Sequence, residues 1–159
     1  STPIILFAGR LMWQKGMQEF VDAARTLHGK GRFVVVGYTE ATSPDTVPES
    51  DLKSWQDEGI IEWWGKRDDM PQVFAQSHIV CLPSRYGEGV PKVLIEAAAC
   101  ARAIVATDSP GCREIARNGE NALLFPHRHC YQRQTGIPDQ KVSDTNCRGE
   151  EGWCSHGNV

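Results

Sequence analysis

Six short runs of almost unbroken apolar residues recur along the chain, at 4–8, 33–36, 60–64, 78–82, 103–107 and 122–125. A strand with one wet face alternates apolar and polar side chains. A strand apolar at nearly every position is covered on both faces. Strand-then-helix repetition with strands of that kind predicts a parallel sheet between two helical layers, a doubly wound α/β domain.

The segments between the runs agree with that reading. Phe20, Val21, Ala24 and Leu27 fall at helical spacing, which predicts a helix over 17–27 stopped by Gly29 and Gly31. A surface helix is expected over 49–58, and a short one ending at Gln76 and capped by Asp68 or Asp69. Another should run from Gly89 to Ala101, and a last short one over 112–117. Ligands of such sheets sit beyond the carboxyl ends of the strands, near the reversal of strand order. Gly9-Arg10, Gly37, Gly65-Lys66 and residues 83–89 all follow strand ends and are expected on one rim.

At 159 residues the chain has room for one such domain, and a hydrophobic content of 40% fills its core. A net charge of −3 gives no general attraction to nucleic acid or anionic lipid. No apolar run approaches the roughly 20 residues of a membrane span. No basic segment precedes the first run, so no export signal is expected. The domain is expected to occupy 1–126. From His127 onward Tyr131, Ile137, Val142, Trp153 and Val159 are scattered singly, so 127–159 reads as an irregular or disordered tail.

Cys81, Cys100 and Cys112 lie in apolar or tightly turned segments and read as buried free thiols. Cys130, Cys147 and Cys154 lie in the tail, and three on each side argue against a disulfide framework. The tail's His127, His129, Cys130, Cys147, Cys154 and His156 match no common zinc spacing. With Asp68-Asp69 read as a cap, no metal is expected. The sequence has no G-x-G-x-x-G after the first run and no Walker lysine, which disfavours NAD and P-loop chemistry. Trp55, Trp63 and Trp64 read as packing residues.

Two segments carry chemistry. Glu88 and Glu96, eight residues apart, straddle a loop-to-helix junction. Gly89 lets backbone approach a ligand there, and Pro91 suits a first helical turn. Helix N-termini offer unpaired N–H groups to phosphate, and carboxylates accept hydrogen bonds from sugar hydroxyls. The pair is therefore placed to grip hydroxyl-rich groups on either side of a diphosphate. Lys92 stands four residues before Glu96, so a plain helix ion pair competes. Arg10 and Lys15 frame the entrance to the first helix, an electrostatically poor place for cations unless an anion binds there.

The stretch from Pro83 through Glu88-Gly89-Val90-Pro91-Lys92-Val93-Leu94-Ile95-Glu96 to Ala99 resembles the Glu-x7-Glu signature of GT-B-fold retaining glycosyltransferases of the family-4 type. Gly9-Arg10 with Lys15-Gly16 resembles that family's G-R-x-x-x-x-K-G segment, and Pro110-Gly111-Cys112-Arg113-Glu114-Ile115 its loop after the fifth strand. The likeness runs from about Ile4 to Phe125, and its wording is most similar to bacterial enzymes that extend polyprenyl-diphosphate-linked or lipopolysaccharide glycans.

The resemblance implies a Rossmann-like GT-B half-domain that binds a nucleotide diphosphate sugar, a UDP-sugar. Its hexosyl or N-acetylhexosaminyl group would pass to a glycan or lipid-linked acceptor. Arg10 and Lys15 would hold the leaving diphosphate, and Glu88 the hydroxyls of the donor sugar. Gly9 and the backbone of Gly89, Val90 and Lys92 around Pro91 would face sugar and phosphate. Glu96 would take the ribose, and Lys66-Arg67 would lie against the base. No cofactor or metal beyond the donor is implied. An N-terminal acceptor-binding domain is absent from the sequence, so this chain alone is expected to be inactive. The implied location is cytoplasmic, with inner-membrane contact only through that domain. A nucleotide-sugar-binding module without transfer activity, half of a GT-B-fold epimerase, and a noncatalytic interaction domain remain as other readings.

Further helices are expected after the sixth run in such a family, and the sequence from His127 departs from that pattern. A shift of reading frame would account for the departure. The other two frames of the encoding DNA should then spell a family-like helix, and its absence from both rejects the idea.

Overall fold

The computed structural model describes residues 2–87 and 89–126. The readings made for 127–159 lie outside the described residues. Six strands, β1 (Ile4–Ala8), β2 (Arg32–Val36), β3 (Glu62–Trp63), β4 (Ile79–Leu82), β5 (Ala103–Thr107) and β6 (Ala122–Phe125), form one sheet in the order β3-β2-β1-β4-β5-β6. Every pairing is parallel. The helices are α1 (Met17–Thr26), α2 (Glu49–Asp57), α3 (Met70–Gln76), α4 (Lys92–Ala99) and α5 (Pro110–Arg113), with one 3-10 turn over Trp13–Lys15. The chain winds outward from β1 to β3, then restarts beside β1 at β4. Strand order therefore reverses between β1 and β4, as the doubly wound reading requires.

The pleat divides the strand side chains between two cores. Leu6, Ala8, Val34, Val36, Val80, Leu82, Ile104 and Ala106 face α3, α4 and α5 through Val73, Phe74, Leu94, Ala97 and Cys112. Phe7, Phe33 and Val35 face the other way, against Met17, Phe20, Val21 and Ala24 of α1 and Leu52 and Trp55 of α2. Phe20 is the hub of this second core, with ring centroids 5.4 Å from both Phe7 and Phe33. That layer covers β1 to β3 more fully than the other half of the sheet. Cys81 and Val105 are half-buried, and Leu123, next in register, is 63% exposed.

Several local expectations are corrected. Ile60 and Ile61 do not join the third strand, because both N–H groups bond to the Trp55 carbonyl (2.9 and 3.4 Å) and close α2. The 49–58 helix is not purely a surface helix, since Leu52 and Trp55 are buried. Asp69 stands at the N-cap of α3 without a side-chain cap bond, because the Arg67 guanidinium forks onto its carboxylate at 2.7 and 2.5 Å. The helix expected to reach Ala101 ends at Ala99. Ala101 turns left-handed (φ 53), and the Arg102 N–H closes onto the Ala97 carbonyl at 2.9 Å. The last helix starts at Pro110 rather than Cys112, with Ser109 Oγ accepting from the Cys112 N–H. Of the three cysteines in the domain Cys112 is buried and Cys100 half-buried; Cys81 is half-buried as a whole residue, but its thiol lies inside, and burial pushes it up to about 12.

The exit of β2 demands a glycine. Gly37 ends β2 at φ +152, and a Cβ on it would overlap the Gly9 carbonyl oxygen. Its N–H meanwhile donates to the Gly65 carbonyl at 2.9 Å. Three strand exits are thus stacked backbone on backbone. Gly59 also has positive φ (+71) but open space around it. Gly37→Ala should lower the unfolding free energy by about 3 kcal/mol. Gly59→Ala should lower it by only about 1–2 kcal/mol. Urea unfolding of both variants checks the difference, and equal losses would reject the close packing.

Candidate functional site

The reversal of strand order puts the β1–α1 and β4–α4 loops side by side, and there they are joined. Gly16, left-handed at φ +85, sits where a Cβ would overlap the Pro83 carbonyl oxygen. The Arg85 N–H donates to the Gln14 carbonyl at 2.8 Å, and Ser84 Oγ reaches the same oxygen at 3.5 Å. Lys15, between these two contact residues, lies with its Nζ 5.8 Å from the centroid of the Tyr86 ring. A cation from the first loop is thereby carried to the second, just before the entrance of α4.

The β2 exit closes the other side of the first loop. The Leu11 N–H donates to Tyr38 O at 3.0 Å and the Val47 N–H to Leu11 O at 2.9 Å. Trp13 N–H and Gln14 N–H both donate to Asp45, to its carbonyl (2.9 Å) and its Oδ2 (3.1 Å) respectively. Burial raises the Asp45 carboxyl above its ordinary 3.8, opposed by that Gln14 bond and by the charge of Arg85. Arg10, about half exposed, pairs with Glu40 at 3.6 Å.

The expected rim residues are placed as follows. Gly9-Arg10 and Lys15 leave β1, Lys66 leaves β3, and Gly89, Val90 and Pro91 lead from β4 into α4. Lys66 Nζ lies 5.6 Å from the centroid of the Tyr38 ring, and Arg67 is turned onto Asp69. Glu88 lies outside the described residues. Gly89 does not have positive φ, and a Cβ there would meet open space. Its absent side chain leaves room rather than permitting a special conformation. Pro91 is the N-cap of α4 rather than its first helical residue. The first bonds of that helix run from the Leu94 and Ile95 N–H groups to the Pro91 carbonyl (3.1 and 3.3 Å), so the preceding N–H groups point out of the ladder. Glu96 is half-buried and pairs with the exposed Lys92 at 3.6 Å, the competing ion pair that the spacing allowed.

Electrostatically, the loops that leave the carboxyl ends of the strands carry Arg10 beside Glu40, Lys15 beside Tyr86 and Lys66 beside Tyr38, and Lys92 beside Glu96 opens α4. Such a surface is suited to a polyanion bearing hydroxyl groups. A depression of about 310 Å³ lies at the opposite, amino end of the strands, among Thr2, His28, Gly31, Arg32, Gly59 and Ile60. Arg32 there is forked onto Glu62 at 2.7 Å. In the loop after β5, Arg113 forks onto Asp108 at 2.7 and 3.2 Å and holds the Asp108 carboxyl below the usual range. Among the described residues no group of three or more His, Cys, Asp or Glu side chains is placed to hold a metal ion.

Sequence reasoning missed Tyr38, Tyr86, Asp45 and the pair Glu19–Arg85. Tyr38 and Tyr86 each follow within four residues of a strand end, which was the available signal. For Asp45 and Glu19 no local signal existed, because their partners lie 31 and 66 residues away.

A family model described as glycosyl transferases group 1 matches residues 2–133. The N,N'-diacetylbacillosaminyl-diphospho-undecaprenol alpha-1,3-N-acetylgalactosaminyltransferase of Campylobacter jejuni is 36% identical over 121 residues, 76% of this chain and 31% of that protein. The alpha-D-kanosaminyltransferase of Streptomyces kanamyceticus is 30% identical over 128 residues, 78% of this chain and 32% of that protein. Among solved structures, Anabaena HepE in complex with UDP and glucose is similar at a TM-score of 0.70 and 25% identity, over 79% of this chain and 34% of that one. The chain thus spans about a third of the length of the curated relatives it matches.

The Asp45 contact has a pH signature. A raised carboxyl binds its proton more tightly in the folded state, so its favourable contribution is full below 3.8 and is lost as pH rises through the folded value. An Asn there keeps an acceptor for the Gln14 N–H and carries no charge. Urea unfolding of Asp45→Asn and wild type at about pH 4 and about pH 7 should favour the variant more at the higher pH. An unchanged difference would reject the assignment.

Proposed function

The chain belongs to the glycosyl transferases group 1 family, and on that premise we propose that its carboxyl rim is the donor side of a retaining glycosyltransferase. The donor is a nucleotide diphosphate sugar, a UDP-sugar, whose hexosyl or N-acetylhexosaminyl group passes to a glycan or lipid-linked acceptor. The observation that carries this reading is the meeting of the β1–α1 and β4–α4 loops at the strand reversal, which brings Lys15 to Tyr86 beside the entrance of α4. A diphosphate seated there lies within the reach of Lys15 and Arg10 and of the N–H groups before α4. Sugar and nucleoside then extend to either side of it.

In this reading the bond between the anomeric carbon and the diphosphate oxygen breaks. The acceptor oxygen bonds to the same face of that carbon, and its proton leaves with the diphosphate. Arg10 and Lys15 stabilise the charge that develops on the departing group, an effect worth several kcal/mol when donors are held in place in advance. Glu88 holds hydroxyls of the donor sugar, and Glu96 takes the ribose by exchanging Lys92 for two hydroxyl donors. Lys66-Arg67 and the Tyr38 ring border the base. The family's pattern supports transfer without a metal, the diphosphate charge being met by side chains.

The chain spans 31% of the Campylobacter protein, a transferase whose name specifies an undecaprenol-linked acceptor. The acceptor side of the present protein is accordingly assigned to sequence beyond this chain. This chain alone then binds donor and transfers little. Among the described residues no helix is long and apolar enough to cross a membrane. We place the activity in the cytoplasm, where activated sugars are made, with any inner-membrane contact coming through that further sequence.

Calorimetric titration with UDP tests the proposal. Wild type should bind, and Glu96→Ala and Arg10→Ala should each weaken binding by about tenfold, near 1.4 kcal/mol. Failure of wild type to bind would leave an α/β interaction domain as the better description, and equal affinities in all three would remove Glu96 and Arg10 from the donor site.

A further inference from the structure

Resting on the donor-site reading, we propose that Glu19 and Arg85 form a clasp that positions the two diphosphate-facing loops, and that neither touches the donor. Glu19 lies in the first turn of α1, and Arg85 lies in the β4–α4 loop, 66 residues later. Arg85 Nε donates to Glu19 Oε1, and the Arg85 side chain is only 19% exposed. The Arg85 N–H also holds Gln14 O at 2.8 Å, so one residue grips the 3-10 turn through its backbone and α1 through its side chain. Gly16, pressed under Pro83, lies between these two grips.

A second carboxylate stands beside the clasp. Asp45, whose Oδ2 accepts the Gln14 N–H, stands near enough for Arg85 to favour its ionised form. Glu19 Oε2 is buried and accepts no hydrogen bond among the described residues. A partly buried ion pair adds little net stability over apolar packing, yet removing one partner leaves an uncompensated charge. Such a pair chiefly selects one geometry. Here the geometry selected is the placing of Lys15 relative to the start of α4, which are set on different loops. On a rim where the arrangement of cations and N–H groups decides affinity, a small loosening weakens binding even though every contacting group is still present.

The experiment uses the whole 159-residue chain. Hydrogen exchange by mass spectrometry follows peptides covering 10–18 and 83–91, with β1 and β5 as references, and calorimetry follows UDP. Arg85→Ala and Glu19→Gln should each speed exchange in both loop peptides by about tenfold, leave β1 and β5 unchanged, and weaken UDP by about tenfold. Arg85→Lys should recover part of both losses. The double variant Glu19→Gln/Arg85→Ala should be no worse than Arg85→Ala alone. Arg32→Ala, which breaks a comparable ion pair at the opposite end of the sheet, should change neither readout. Unchanged loop exchange in Glu19→Gln, purely additive losses in the double variant, or an equal effect of Arg32→Ala would overturn the clasp. If wild type fails to bind UDP the donor-site reading falls, while exchange in the unliganded chain still decides whether the clasp exists.

Discussion

The domain depends on one close approach of backbone, Gly16 under the carbonyl of Pro83. A parallel sheet wound outward in both directions leaves a cleft wherever its order reverses, because the loops on the two sides of that point diverge. In this chain the cleft is narrowed until the loops leaving β1 and β4 touch, and Lys15 and Tyr86 become neighbours. A side chain at position 16 would push the loops apart. A similar contact, Gly37 against Gly9, fastens the neighbouring exit. The rim is therefore a consequence of backbone packing first and of charge second.

Much of this was legible in the sequence. The runs at 4–8, 103–107 and 122–125 match their strands to the residue, because each is apolar on both faces and bounded by a strong breaker or a polar turn. The β3 segment was not, because Ile60 and Ile61 carry the composition of a strand but spend their N–H groups on the end of α2. Composition shows that a residue is inside; it does not show which ladder claims its backbone. The cap at Asp69 failed for a related reason. Arg67, two residues earlier, offers a fork to the carboxylate, and a guanidinium competes well with backbone N–H groups.

The site divides in the same way. Residues adjacent to strand ends were readable, since topology alone sends Arg10, Lys15, Lys66 and Gly89 to a common edge. The couplings among them were not. Asp45 beneath Gln14, Tyr86 against Lys15 and Glu19 against Arg85 are contacts between segments far apart in order, and their residue types are ordinary at those positions. Periodicity and local spacing report on one element at a time. Tertiary pairing, which fixes how a binding surface is held, becomes visible only once the elements are assembled.

The cations of the rim are already engaged: Arg10 shares its charge with Glu40, and Lys15 and Lys66 each rest against a tyrosine ring. An arriving anion therefore trades partners with the protein instead of filling a bare electropositive hollow. Each trade returns a carboxylate or a ring face to solvent, so a weakly basic, singly charged ion gains little by it. A ligand able to satisfy several cations together gains at every exchange. If the rim is the donor side proposed above, discrimination between diphosphates and the small anions of the cell is set partly by what the protein holds in their place.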